Sequence, residues 1–322
     1  MQGPGSTPAP LSPSGMGLAV ACYACWGLVP VYWKGIAAIP SYEALIARVV
    51  WTALLLWLAG HLIGRSSETW ARGGREWLWT ALAAGLLAGN WGLFVWAVQS
   101  GQIVATSLGY YINPLVSIVL GMLVLGERLN PIQSLAVGTA ACGVLTLTLL
   151  AGELPWISLV LAGSFALYGL IHKLHPQPAL AGLAREMLLL SPVALVALFV
   201  LQRTGDAALV GLTGTEHAYL SLSSVVTAVP LLLFHAATRR LPLYAVGMFQ
   251  YIAPTLTLVL AVVVYHEPFT RAHSLGFGFV WLGLATFTFD SLRRARAERG
   301  MASVAPDEES SIPSARTDAE RA

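Results

Sequence analysis

The sequence predicts an all-α integral membrane protein whose ten transmembrane helices form two inverted five-helix repeats. Composition is the first reason. The 322 residues are 56% hydrophobic and 11% charged, with a mean hydropathy of +0.69, against about 25% charged residues in soluble domains. The second is an uncharged stretch from Trp77 to Gly126 that contains no Asp, Glu, Lys, Arg or His and can hold two crossings of about 20 residues each. The third is internal: residues 82–148 align with 222–288 without a gap, at a constant offset of 140.

Apolar windows bounded by charge or by Gly/Pro punctuation place the spans in order. The first covers 16–36 and follows an uncharged Pro/Gly/Ser-rich opening. That opening lacks the basic region of a signal peptide and reads as a disordered tail over 1–15. The second span covers 42–63, after Pro40 and before Gly64-Arg65. The third and fourth, 76–98 and 104–125, divide the uncharged stretch, and Glu127-Arg128 closes it. The fifth, 131–150, opens on Pro131, and the sixth, 155–172, ends at His172-Lys173. The seventh, eighth, ninth and tenth cover 180–201, 217–237, 241–265 and 272–291, the eighth ending before Arg239-Arg240. The Arg/Glu/Ser/Pro-rich segment 292–322 reads as a disordered cytoplasmic tail. Backbone groups in lipid must be satisfied within their own segment, so the spans are helices; the alternation of an outer-membrane strand is absent.

Ten crossings sort the loop cations. Arg65, Arg72, Arg75, Arg128, Lys173, Arg239, Arg240, Arg293, Arg294, Arg296 and Arg299 fall on one side, and only Lys34, Arg203 and Arg271 on the other. The positive-inside rule then sets both termini in the cytoplasm of an inner-membrane, multi-pass protein. A net charge of +2 is uninformative about nucleic acid, and the basic residues cluster in particular loops rather than in one patch, so no nucleic-acid partner is expected. Three cysteines are too few for a disulfide framework, and Cys22-Tyr-Ala-Cys25 lies in an apolar helix as small packing residues. No metal or cofactor is expected.

Within the internal alignment Leu93-Phe94 falls on Leu233-Phe234, and Tyr111-Ile112-x-Pro114 on Tyr251-Ile252-x-Pro254. Glu127 falls on Glu267, and Gly138 and Gly143 on Gly278 and Gly283. The implied repeats are 16–152 and 153–291. Five spans is an odd number, so the second copy has opposite polarity. Inverted repeats place a site near the midplane and expose it alternately to each side.

Candidate site residues follow from polarity at depth. Pro114 and Pro254 lack an N–H and free the carbonyls of Tyr110 and Gln250, predicting kinks that turn polar groups toward the bundle interior. Tyr110, Tyr111, Asn113, Gln250 and Tyr251 either meet a solute there or tie helices together through hydrogen bonds. Asn90-Trp91 matches Pro230-Leu231 in the repeat, placing polarity and a third kink, Pro230, at equal depth. Tyr23, Trp26, Trp91, Phe94 and Tyr168 can wall a small-molecule pocket or simply pack. An ionised group at the bilayer centre costs at least about 2.5–3.5 kcal/mol. Arg48 must therefore snorkel or face a wet cavity. Glu43, at the start of span two with Lys34 as a partner, is a candidate for gating or coupling. Glu186 is another, though pairing with His172 or Lys173 gives it first a structural role; Arg185 beside it does not share its face. Glu127 and Glu267, matched in loops on opposite faces, read as groups that cap or pair rather than couple protons.

Six blocks carry a resemblance: "GNWGLFVWAV", "SLGYYINPLVSIVLGMLVLGER", "YGLIHK", "REMLLLSP", "TAVPLLLFHAATRRL" and "FQYIAPTLTLVLAVVVYHEPF". They resemble the RarD-type permeases of the EamA group in the drug/metabolite transporter superfamily, over about Gly17 to Asp290. The resemblance implies a ten-helix inner-membrane permease of two five-helix repeats, in a family known by the phenotype name chloramphenicol-sensitive protein. It carries over no catalytic or coupling residue. Arg185 departs from the family pattern, which has an apolar residue there. Span one also lacks the mid-helix glutamate of the related four-helix multidrug transporters, so proton antiport by that route is not expected.

The expected function is a permease moving a small organic metabolite or drug-like solute by alternating access, with export as the expected direction. The partners are that solute and membrane lipid. The alternatives are a scaffold or sensor, which has no use for inverted symmetry, and an intramembrane enzyme. The sequence holds no HExxH, no GxSxG and no paired aspartates within the spans to support an enzyme.

Overall fold

A computed structural model describes residues 11–35, 39–64, 73–100, 103–151, 156–204, 211–264 and 271–302. The helices are α1 (Pro13–Lys34), α2 (Ser41–Leu62), α3 (Gly74–Gln99), α4 (Ile103–Leu125), α5 (Pro131–Ala151), α6 (Trp156–Leu174), α7 (Ala179–Thr204), α8 (Gly214–Thr238), α9 (Leu243–Gln250), α10 (Ile252–Val259) and α11 (Arg271–Ala302). Nine spans among the described residues are long and apolar enough to cross a membrane, α9 and α10 together forming one of them, and α4 adds a tenth that is apolar over Gly109–Leu125. No strand occurs among the described residues. The protein is a ten-helix, all-α membrane protein.

Local chemistry sets the helix ends. Ser12 starts α1 by accepting the N–H of Gly15 on its hydroxyl, with Pro13 in the first helical position, where its missing N–H costs nothing. The helix thus begins inside the opening segment expected to be a tail. Asn130 and Gln133 form a reciprocal pair at the start of α5, each side chain accepting the other's backbone N–H at 2.9 and 3.1 Å. Thr213 and Glu216 form a capping box on α8. At the far end α11 runs on to Ala302, past the boundary expected at 291. An Ala/Arg/Glu-rich continuation has high helix propensity, and Arg294 pairs one turn back with Asp290 at 3.2 Å.

The two halves interlock under a two-fold exchange of spans. α1 packs on α8 as α6 packs on α3, α4 packs on α6 as α9 and α10 pack on α1, and α2 packs on α8 as α7 packs on α3. The pairs α5–α11, α2–α7 and α4–α9 are their own counterparts. Each is what an exchange of span n with span n+5 requires. The α5–α11 seam depends on small residues: a Cβ on Gly143 would stand 2.5 Å from the Gly276 carbonyl, and one on Gly283 2.6 Å from the Ala136 carbonyl. Close backbone approach of this kind replaces the hydrophobic driving force that lipid removes.

Span nine is not one helix. It breaks at Tyr251, resumes as α10 and closes in a π-helical turn over Leu260–Val264. Pro254 explains the break, since it donates nothing to the ladder at that level. The equivalent Pro114 lies inside a continuous α4, so the matched prolines have unequal effects. The seam between these spans is tight: a Cβ on Gly247 would stand 2.7 Å from the Pro114 carbonyl oxygen.

Candidate functional site

Most of the predicted site residues fall into three neighbourhoods; Asn90, Pro230 and Glu186 lie outside them. At the bundle end that holds the start of α2, Arg48 stacks its guanidinium on the Trp91 ring at 3.9 Å. Phe94 and Tyr110 stand beside them with ring centroids 6.0 Å apart, and Tyr110 is 49% exposed. Across the same end Tyr32 stacks flat on Tyr219 at 5.1 Å and donates its hydroxyl to the Tyr219 carbonyl. Glu43 is fully buried in the first turn of α2. The side chain of its expected partner Lys34 lies outside the described residues, as does Glu267. A planar, delocalised guanidinium is more weakly hydrated than an ammonium, so it lies on an indole face at a smaller desolvation cost.

The second neighbourhood is an aromatic core between the halves. Trp26 on α1 meets Tyr23 at 5.6 Å, Phe165 at 5.5 Å and Phe234 at 5.9 Å. Phe234 stacks on Tyr168 at 5.8 Å. The fold joins Tyr23, Trp26 and Tyr168 with Phe165 and Phe234, while Trp91 and Phe94 stand apart beside Arg48 and Tyr110. The Tyr23 hydroxyl is buried and makes no hydrogen bond among the described residues.

The third is the α4–α9 seam. Tyr111 packs edge-on against Phe277 at 5.0 Å. Asn113 accepts a hydrogen bond from Ser117 at 3.3 Å, one turn on in the same helix. Gln250 and Tyr251 are buried at the break, and the Tyr251 hydroxyl has no hydrogen-bond partner among the described residues. Buried polar atoms are nearly always satisfied, so two orphaned phenol groups on facing spans call for an explanation.

Asn90 bridges the halves: its amide donates to the Leu161 carbonyl and to the Ser164 hydroxyl, both at 2.8 Å. Pro230 also joins spans, its carbonyl accepting from the Cys22 thiol at 3.2 Å. Near it an apolar groove of about 260 Å³ opens between α1 and α8, lined by Cys25, Leu28, Tyr32, Val226, Val229 and Pro230. None of the predicted solute-contact residues lines this groove.

Arg185 and Glu186 turn apart, as adjacent helical residues must. Arg185 is fully buried, donates to Gln177 at 2.6 Å and approaches Glu76 on α3 at 3.5 Å. Glu186 accepts from the Tyr168 hydroxyl at 2.9 Å and contacts His172 at 2.9 Å. His235 joins them, 2.7 Å from the Tyr168 hydroxyl. Of the two partners foreseen for Glu186, the structure selects His172. Lys173 instead reaches the carbonyls of Thr238 and Leu241 and closes the end of α8. Sequence reasoning missed His235, because a histidine one turn before Arg239-Arg240 reads as part of the charged helix end. Glu127 caps, as expected: it accepts the backbone N–H groups of Leu243 and Tyr244 at the start of α9.

Residues 13–149 match the model of the EamA-like transporter family. The chain is 38% identical over 281 residues to the uncharacterized transporter YojE of Bacillus subtilis, covering 85% of this chain and 93% of that one. It is 40% identical over 284 residues to protein RarD of Escherichia coli, covering 88% and 96%. It is 30% identical over 301 residues to the chloramphenicol-sensitive protein RarD of Pseudomonas aeruginosa, covering 90% and 99%. A solved crystal structure with 16% identity superposes with a TM-score of 0.68, covering 86% of this chain and 98% of that one, and shares the fold.

Proposed function

The chain belongs to the EamA-like transporter family, as a RarD-type member, and on that premise we propose that it carries a small organic solute across the inner membrane by alternating access, with export as its direction. Both termini face the cytoplasm in this reading. The halves 16–152 and 153–291 act as the two bodies that rock against each other.

The observation that carries the reading is the pair of buried tyrosine hydroxyls, Tyr23 on α1 and Tyr251 at the break of span nine. Both lack a hydrogen-bond partner among the described residues. An unsatisfied buried hydroxyl costs about 1–3 kcal/mol, a penalty that a polar group on a bound solute removes. The aromatic core around Trp26 and Phe234 gives such a solute apolar walls, and Asn90, Gln250 and Arg48 give it polar neighbours. A neutral or amphipathic solute with one or two polar groups fits this lining better than a highly charged one.

Flux into proteoliposomes tests the proposal, with a panel of metabolites and amphenicols and with folding verified by monodisperse elution. Saturable flux of at least one solute is expected; no flux of any panel member would sink the reading. Single cysteine reporters at Asn90 and Tyr251 separate transport from a scaffold. In a carrier their labelling from the two sides changes when solute is added, whereas in a scaffold it stays fixed.

A further inference from the structure

The geometry points to a site that transport of an organic solute does not require: we propose that His172, Glu186 and His235, with Tyr168 as a fourth donor, bind one divalent transition-metal ion of the zinc class. His172 ends α6, Glu186 stands two turns into α7, and His235 lies one turn before the end of α8. Only the fold brings them together. All three side chains are buried, and their ligand atoms lie within 4.8 Å of one another. A tetrahedral ion with bonds of about 2.0–2.1 Å sets its ligand atoms about 3.3 Å apart. The 2.9 Å approach of His172 Nε2 to Glu186 Oε1 already falls inside that spacing. The remaining ligand atoms lie within 4.8 Å of one another and must close up by about an ångström or more where they are farthest apart.

Two further observations point to a ligand. His172 Nε2 is buried and, despite its contact with Glu186, is aligned for no hydrogen bond. That nitrogen therefore faces the cluster and the Glu186 carboxylate with no aligned hydrogen bond, in a position open to a metal bond. Tyr168 lies between Glu186 Oε2 at 2.9 Å and His235 Nε2 at 2.7 Å, at the fourth corner.

The donor chemistry selects the ion. Two imidazole nitrogens and a carboxylate are borderline ligands suited to zinc and its neighbours, whereas calcium and magnesium demand oxygen throughout. Charge also balances: a dication held by the Glu186 carboxylate and a Tyr168 phenolate leaves no net charge in the apolar interior. Binding then releases the phenol proton to solvent, and the ion joins three helices of the second half.

The test uses full-length protein in detergent, with any purification tag removed, stripped by chelator and dialysed against zinc or cobalt. We expect one ion per chain by mass spectrometry and a melting point that rises with metal. His172→Gln and His235→Gln should bind at least about tenfold more weakly and lose the metal-dependent rise; His217→Gln, at an exposed position, should retain both. The proposal is overturned if stripped, monodisperse wild type takes up neither ion, or if the folded His172→Gln and His235→Gln variants bind as wild type does. Equilibrium binding involves no flux, so failure here leaves the transport proposal standing.

Discussion

Glu127 Oε1 accepts the backbone N–H of Leu243 at 2.6 Å, so a carboxylate from the first half caps a helix of the second. Its other oxygen takes the N–H of Tyr244 at 2.9 Å. Two donors that would be orphaned at a helix start are satisfied by one anion, which also complements the helix dipole.

Removing that anion should loosen the seam. Glu127→Ala is expected to cost about 1.5–3 kcal/mol, the range for hydrogen bonds to charged groups, and Glu127→Gln about half. Thermal unfolding of the purified protein, followed by tryptophan fluorescence, would show the ordering wild type, Gln, Ala. Equal midpoints for all three would remove the cap from the account of stability.

Close approach at Gly247 gives a second prediction. An alanine there places its Cβ 2.7 Å from the Pro114 carbonyl oxygen and 3.1 Å from Ile118. Backbone on one side and packed side chain on the other leave little room to yield, so Gly247→Ala should cost about 1–3 kcal/mol. Gly163→Ala is the matched control, because nothing lies within 4 Å of the added Cβ. It should be neutral or stabilising by up to about 1 kcal/mol. Melting points of the pair decide it.

The orphaned tyrosines separate binding from packing. Tyr23→Phe and Tyr251→Phe remove a buried hydroxyl with no protein partner, so the melting point should hold or rise. If the hydroxyls meet the solute, its KM should rise by about tenfold, matching a lost hydrogen bond of about 1.5 kcal/mol. Unchanged KM in both variants would assign them to packing alone.

Arg48 offers a test of geometry against charge. Arg48→Lys keeps the positive charge but loses the planar face that lies 3.9 Å from the Trp91 centroid. A stacking contribution of about 0.5–1 kcal/mol predicts a two- to fivefold rise in solute KM. Trp91→Leu should match it, and the double variant should be no worse than either single one. Additive losses would show that the two residues act separately.

Much of the fold was legible one residue at a time. Hydropathy marked ten spans because lipid imposes a minimum apolar length on any crossing, and the Pro114/Pro254 register exposed the repeat. The unequal outcome at those prolines was not legible. Both lie in similar local sequence, yet α4 runs on and span nine breaks at Tyr251. In the candidate site, Tyr23, Trp26 and Tyr168 were identifiable as aromatics at depth. Phe165, Phe234 and His235 were not, since nothing local sets them apart from packing residues or helix ends.

The sequence by itself determined the membrane class, the ten crossings, their charge bias and the alignment of residues 82–148 with 222–288 at an offset of 140. These depend on quantities summed along the chain, which need no knowledge of neighbours. Tertiary structure alone decided that Glu186 meets His172 rather than Lys173, that Asn90 reaches Ser164 and that His235 completes a buried cluster. Those meetings depend on which face each helix turns inward. In a span surrounded by lipid the apolar faces are nearly equivalent by hydropathy, so backbone approach at glycine and a few long-range hydrogen bonds set the rotation.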